Sequence, residues 1–258
     1  MAGKEIIEVT GMILIPFLIV LISVILGQRY GIYSIKKSPE NQQSAVGSVV
    51  GAVFALLAFV LAFTFQISVN HYDARKRVLL EEVTNIRTAY LRAGLIHEPI
   101  RSETKKLLVE YVDLRIGLSK DFSKLDDVLS RSQQILDTLW DFTETLAQED
   151  RSSEVYSLYT TSINDLVDNY NQRITVALEY RIPVTVFRVL FIILFFSMFA
   201  LGYQFGISGK GSFKINLLLA IIFSMVMFLI IALDRPETGL ARIDQKPMYT
   251  LQKQLHGK

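Results

Sequence analysis

Apolar residues run on without a formal charge in four places, residues 9–28, 41–70, 189–209 and 215–233, and between them the chain is markedly polar. A bilayer core of roughly 30 Å needs about 20 helical residues at about 1.5 Å each, a length all four stretches reach. The pattern therefore predicts four membrane-spanning helices in two hairpins. Gly209, Lys210, Gly211 and Ser212 leave room only for a tight link between the third and fourth. The first stretch is expected to be retained, because Glu5 and Glu8 spoil the basic leader of a secretory signal and no Ala-x-Ala-like site follows Leu26.

Residues 73–181 have the charge density of water-facing helices and no strand-like alternation bounded by turn residues. Between Pro39 and Pro99 there is no proline, and between Pro39 and Gly94 the only glycines are Gly47 and Gly51. The second span is thus expected to continue unbroken to Ala93, a rod of about 49 residues and about 74 Å. Its outer half carries an apolar stripe at Leu79, Val83, Ile86, Tyr90 and Ala93. Pro99 suits a new helix start, with Leu107, Tyr111, Leu114 and Leu118 on one face. Phe122, Leu125, Leu129, Leu136, Leu139, Thr143 and Leu146 fit a heptad-like third helix over residues 121–148. A fourth begins near Ser152, with Ser153 and Glu154 suited to its N-terminus. It carries Val155, Tyr159, Ile163, Leu166, Tyr170, Ile174 and Leu178, and ends at Pro183, which either kinks it into the third span or separates the two. The fold class is all-α, an integral membrane protein whose hairpins flank a helical stalk. Its parts are residues 1–72 and 182–235 for the hairpins, 73–181 for the stalk and 236–258 for a tail.

The composition agrees: 51% of the 258 residues are apolar, only 20% are charged, and mean hydropathy is +0.35, values seldom combined in a soluble enzyme. Cysteine is absent, which excludes disulfides, thiolate metal sites and cysteine nucleophiles together. Counting Lys and Arg near span ends gives about 12 on the side of the termini against 5 on the other. That balance favours cytoplasmic termini and a cytoplasmic stalk. Charge is graded along the stalk, since residues 73–120 carry 10 basic and 7 acidic side chains and residues 121–168 carry 3 and 11. The gradient is either a solvated face or a funnel that concentrates cations near a pore mouth.

Enzymatic chemistry finds no support. His71, His97 and His256 lie far apart, Pro99 follows His97 and Glu98 at once, and no phosphate-binding loop, dinucleotide fingerprint or nucleophile elbow occurs. Asp126–Asp127 and Asp165 with Asp168 lack the spacing of a calcium loop, so no metal or cofactor is expected. The basic residues lack interleaved aromatics, which argues against a nucleic-acid partner.

The second span is the informative one. Gly47, Gly51, Ala55, Ala58 and Ala62 allow close helix approach, which predicts assembly within or between chains, and Gly202 with Gly206 repeats the pattern in the third span. One helical line joins Gly47, Gly51, Phe54, Ala58, Leu61 and Phe65. If it faces a central axis, Phe54, Leu61 and Phe65 form apolar rings that gate by dewetting; otherwise the same face packs on a neighbouring span. Gln66 is the most polar residue deep in this span, and no span centre holds Asp, Glu, Lys, Arg or His. Coupled transporters usually need an intramembrane ionisable group, so a passive path is favoured over a pump.

The run from Gly51 to Gln66 with its Ala-Phe-Thr-Phe, then Thr88 to Arg92, Pro99, Tyr111, Arg115, Arg181-Ile-Pro183 and Asp234-Arg-Pro236 with Gly239, resembles the bacterial bestrophin-like membrane proteins. The similarity covers nearly the whole chain. It implies a homo-oligomer, pentameric as in true bestrophins, in a bacterial inner membrane, whose partners are membrane lipids and inorganic ions. The resemblance also implies passive ion conduction, with the second span lining an apolar neck. On that reading Phe54, Leu61 and Phe65 make the constriction, and Gly47, Gly51, Ala58 and Gln66 line the pore or pack helices. Arg75, Lys76 and Arg77 then ring the inner mouth. A basic ring favours anions and an acidic distal stalk favours cations. With a Debye length of about 8 Å, whichever charge lies nearest the narrowest point decides. The alternative is a non-conducting, membrane-anchored sensor or scaffold. Asp234 and Arg235 are expected to form a local ion pair that anchors the last span.

Overall fold

A computed structural model describes residues 2–37, 43–209, 211–235 and 241–257. Pro39, Lys210, Pro236 and Gly239 lie outside them, as does the side chain of Leu178. The described residues hold eight α-helices and no strand. They are α1 (Ala2–Lys37), α2 (Gln43–Ala93), α3 (Ile100–Lys120), α4 (Leu125–Glu149), α5 (Glu154–Ile174), α6 (Val184–Ser208), α7 (Phe213–Asp234) and α8 (Lys246–His256). Helices α1, α2, α6 and α7 each contain a stretch long and apolar enough to cross a membrane. The chain forms two compact units, one of Met1–Asp73 with Tyr180–Arg242 and one of Ala74–Glu179 with Ile243–Lys258, and α2 contributes to both.

The membrane-spanning unit is organised by glycines. Gly27 and Gly31 on α1 face Gly202 and Gly206 on α6: a Cβ on Gly202 would stand 2.1 Å from the Val24 carbonyl oxygen, and one on Gly27 2.1 Å from that of Phe199. Only hydrogen fits there, so the two backbones meet directly, as they do where small residues mediate packing in lipid. Around this contact Val20, Val24, Leu57, Leu61, Leu194, Met198 and Met227 form a buried cluster. Ser224 Oγ donates to the Ile13 carbonyl at 2.6 Å, and Asn216 Nδ2 donates to Gln28 Oε1 at 2.9 Å, two hydrogen bonds that tie α7 to α1. Gly209 ends α6 at φ +66°, a left-handed conformation that glycine adopts without steric penalty.

In the second unit the apolar stripes meet as their spacing predicts, with Leu79, Ile86, Ala93, Leu108, Tyr111, Leu136, Leu139, Tyr159, Ile163 and Leu166 in one core. Asp121 caps the 3-10 turn that leads into α4 and Ser153 caps α5, accepting from the N–H groups of Ser123 and Tyr156. Phe122, expected on the inner face, is 50% exposed, because the chain makes a 3-10 turn at Phe122–Lys124 before α4 starts. Pro183 separates α5 from α6, and a π-helical turn, Thr175–Glu179, ends the former. The tail forms α8, whose Met248, Leu251 and Leu255 are buried in this same core. Gln252 Nε2 and His256 Nε2 both reach Asp113 Oδ1 on α3, at 2.7 and 3.2 Å.

Candidate functional site

Successive helical residues lie about 100° apart, so the accessibility of α2 within its unit reads out which face is free. Val50, Leu57, Leu61, Thr64 and Ser68 are buried, and the hydroxyls of Thr64 and Ser68 donate to carbonyls one turn back in α2. A second face carries the exposed bulky residues Val49, Leu56, Phe59 and Phe63, the two phenyl rings stacked at 6.5 Å between centroids. Between these two faces runs a stripe of exposed small residues, Gly51, Ala55, Ala58 and Ala62, ending at Phe65 and Gln66. A Cβ on Gly51 would meet nothing within 4 Å, and one on Gly47 would meet only Gln204 Nε2, at 3.4 Å. Gln66 Nε2 donates to Asn70 Oδ1 at 2.9 Å, so the polar end of the stripe remains on the exposed side.

The residues singled out from the sequence thus fall on different faces. Gly51, Ala58, Phe65 and Gln66 share the exposed stripe. Phe54 is half-buried, its ring edge-on to Phe223 of α7 at 6.3 Å. Leu61, at 8% exposure, is enclosed by its own chain. The line drawn from the sequence is rotated about 40° from the exposed stripe, toward the core. Arg75, Lys76 and Arg77 spread over about 200° of helix. Lys76 and Arg77 are exposed, whereas Arg75 is buried at 6%.

Two motifs far apart in sequence are brought together at the ends of the spans. Asp234, 2% exposed, accepts from the Ile182 N–H with both carboxylate oxygens, at 3.1 and 3.2 Å, and its Oδ1 lies 3.0 Å from His71 Nδ1. The side chain expected to anchor the last helix at the interface is therefore turned inward, holding α2 and the start of the third span.

In the second unit a buried charge cluster had no counterpart in the sequence reading. Glu82, fully buried on α2, accepts from the Tyr111 hydroxyl at 2.8 Å and pairs with Arg115 Nε at 3.1 Å and with Arg173. Burial pushes the Tyr111 hydroxyl up to about 12, against the opposing pull of Arg115. Desolvation brings the Arg173 guanidinium down to about 10, which leaves it charged at neutral pH. A carboxylate at Glu82, three residues after Leu79 and four before Ile86 on the buried stripe, is the signal that could have found it. No group of three or more His, Asp or Glu that could hold a metal ion occurs among the described residues.

Four spans, an all-helical second unit and an uncharged, partly exposed second span define a multi-pass membrane protein. Residues 15–248 match the Bestrophin-like domain, and the chain belongs to that family. Its fold is that of solved bacterial bestrophin homologues from Klebsiella pneumoniae. One variant of such a homologue is 18% identical with a TM-score of 0.59, covering 97% of this chain and 98% of its own. A second variant is 16% identical with a TM-score of 0.60, covering 97% and 100%. No curated protein matches the sequence.

Proposed function

We propose that the protein is a homo-oligomeric, pentameric channel of a bacterial inner membrane, conducting ions passively through a pore lined by α2, with its termini and second unit in the cytoplasm. The observation that carries this reading is the stripe Gly51, Ala55, Ala58, Ala62 and Phe65, uncharged and uncovered by its own chain. Several copies of such a stripe around an axis make a narrow apolar tube. Phe65, the bulkiest residue on it, is the constriction, and the half-buried Phe54 backs the wall nearer Gly51. Gln66 sits at the end of the constriction, and Lys76 and Arg77 lie farther along the same helix as the cationic mouth. Lacking an ionisable group at its centre, the stripe is suited to a passive path rather than to coupled transport.

The absence of native cysteine makes the test direct. Single cysteines at Ala55, Ala58 and Ala62 should react with a water-soluble methanethiosulfonate in reconstituted protein and lose ion flux on modification, whereas Leu61→Cys should stay unreactive. Equal protection at all four positions would mean that the stripe is packed against another helix, and the scaffold reading would replace this one.

A further inference from the structure

At the end of the membrane-spanning unit opposite Asp234 and His71, the last turns of the first span, the first turns of the second and the end of the third border an apolar groove of about 430 Å³. Its walls are Tyr30 of α1, Val46 and Val49 of α2, and Phe199, Ala200 and Tyr203 of α6. The glycine contact explains why it exists. With Gly27, Gly31, Gly202 and Gly206 pressed together, Tyr30 and Tyr203, which lie between them, come side by side. There Tyr30 forms a tilted cluster with Phe199 at 6.1 Å and Tyr203 at 5.8 Å between ring centroids. The Tyr203 hydroxyl is 3.2 Å from Ser34 Oγ, so one edge of an otherwise apolar groove carries a hydroxyl pair.

We infer that this groove binds one acyl chain of an anionic phospholipid, with the phosphate held by Arg29 and Lys36. Three observations select that occupant. The groove lies on helices of membrane-spanning length and is lined by aromatic and branched apolar groups. Its tyrosine edge belongs to an exposed α1 surface of Tyr30 (56% exposed) and Tyr33 (62%), the aromatic pairing expected at headgroup level. The exposed cations Arg29 and Lys36 flank those tyrosines, while no charge occurs in the neighbouring apolar stretch of α1 from Val9 to Gln28. Hydroxyls and cations at one end and hydrocarbon walls at the other match an anionic amphiphile. A helix of a second copy fits less well, because close helix approach uses small residues, and on α2 those lie on the separate stripe through Gly51, Ala55 and Ala58.

The chain's single tryptophan, Trp140, lies in the other unit, so a Trp140→Phe background carrying Val49→Trp reports on the groove alone. Full-length protein of this form is reconstituted in phosphatidylcholine vesicles containing a small fraction of brominated lipid. Brominated phosphatidylglycerol should quench Trp at position 49 at about fivefold lower mole fraction, per cation engaged, than brominated phosphatidylcholine. Arg29→Gln with Lys36→Gln should remove the difference, and so should Ala200→Phe, which fills the groove. Equal quenching by both lipids in the parent protein would overturn the site, and quenching by neither would show that another copy covers it. Native mass spectrometry of protein with its natural Val49 gives the second reading: retained phosphatidylglycerol, lost in Ala200→Phe with the oligomer intact, supports the site. Equal retention in both overturns it.

Discussion

One methyl group distinguishes alanine from glycine, and on these helices its cost depends on which surface it enters. At Gly202 the new carbon would lie 2.1 Å from the Val24 carbonyl oxygen, so Gly202→Ala must push α1 and α6 apart. Overpacking of this kind typically costs about 1–3 kcal/mol, and the variant should lose folded protein at lower temperature when solubilised samples are heated and passed over a sizing column. Gly51→Ala adds its methyl to open space. Its subunit should survive heating like the parent, and any change should appear in oligomer size or ion flux. If both variants behave alike, the assignment of one glycine to the subunit interior and the other to the assembly is wrong.

At the scale of elements, one buried carboxylate ties three helices of the second unit together, since Glu82 on α2 holds Tyr111 and Arg115 of α3 and Arg173 of α5. Removing one partner of a buried ion pair costs about 3–5 kcal/mol, because the remaining charge has no compensation in a poorly polarisable interior. Glu82→Leu should therefore sharply lower thermal stability, and adding Arg115→Met and Arg173→Met should recover most of it. Failure of the triple variant to recover would mean that the cluster does more than balance its own charge. A second junction is pH-dependent. His97 Nε2 lies 2.8 Å from Glu149 Oε2, and the Glu98 carbonyl, followed by Glu149, raises the imidazole above its ordinary 6.5. A raised pKa makes the contribution complete below about pH 6.5, and it is lost as pH climbs through the higher folded value. The difference in melting temperature between wild type and His97→Asn should shrink from pH 6 toward alkaline pH; a difference that grows instead would refute the pairing.

For the whole molecule, legibility followed the contrast between a residue and its surroundings. In the second unit charge marks the solvent side, so Leu79, Ile86, Leu139 and Ile163 declared the core by spacing alone. The tail carried the same signal, Met248, Leu251 and Leu255 at intervals of three and four, but in a segment too short to claim a partner without the fold. Within the spans every side is apolar, and periodicity cannot orient a helix such as α2, so Leu61 and Phe65 looked equivalent until packing separated them. Gly202 and Gly206 were recognisable as a close-packing pair, yet their partners Gly27 and Gly31 straddle the end of the uncharged stretch, where Arg29 conceals the repeat. The central claim, a passive pore along the exposed stripe of α2, is tested most directly by single-channel recording of purified protein in planar bilayers under an asymmetric salt gradient. Wild type should give discrete currents with a defined reversal potential, Phe65→Ala should enlarge them, and Leu61→Val should leave them unchanged. Silence from all three, with folded oligomer verified in the same preparation, would contradict conduction, and an effect of Leu61→Val without one of Phe65→Ala would contradict the assigned face.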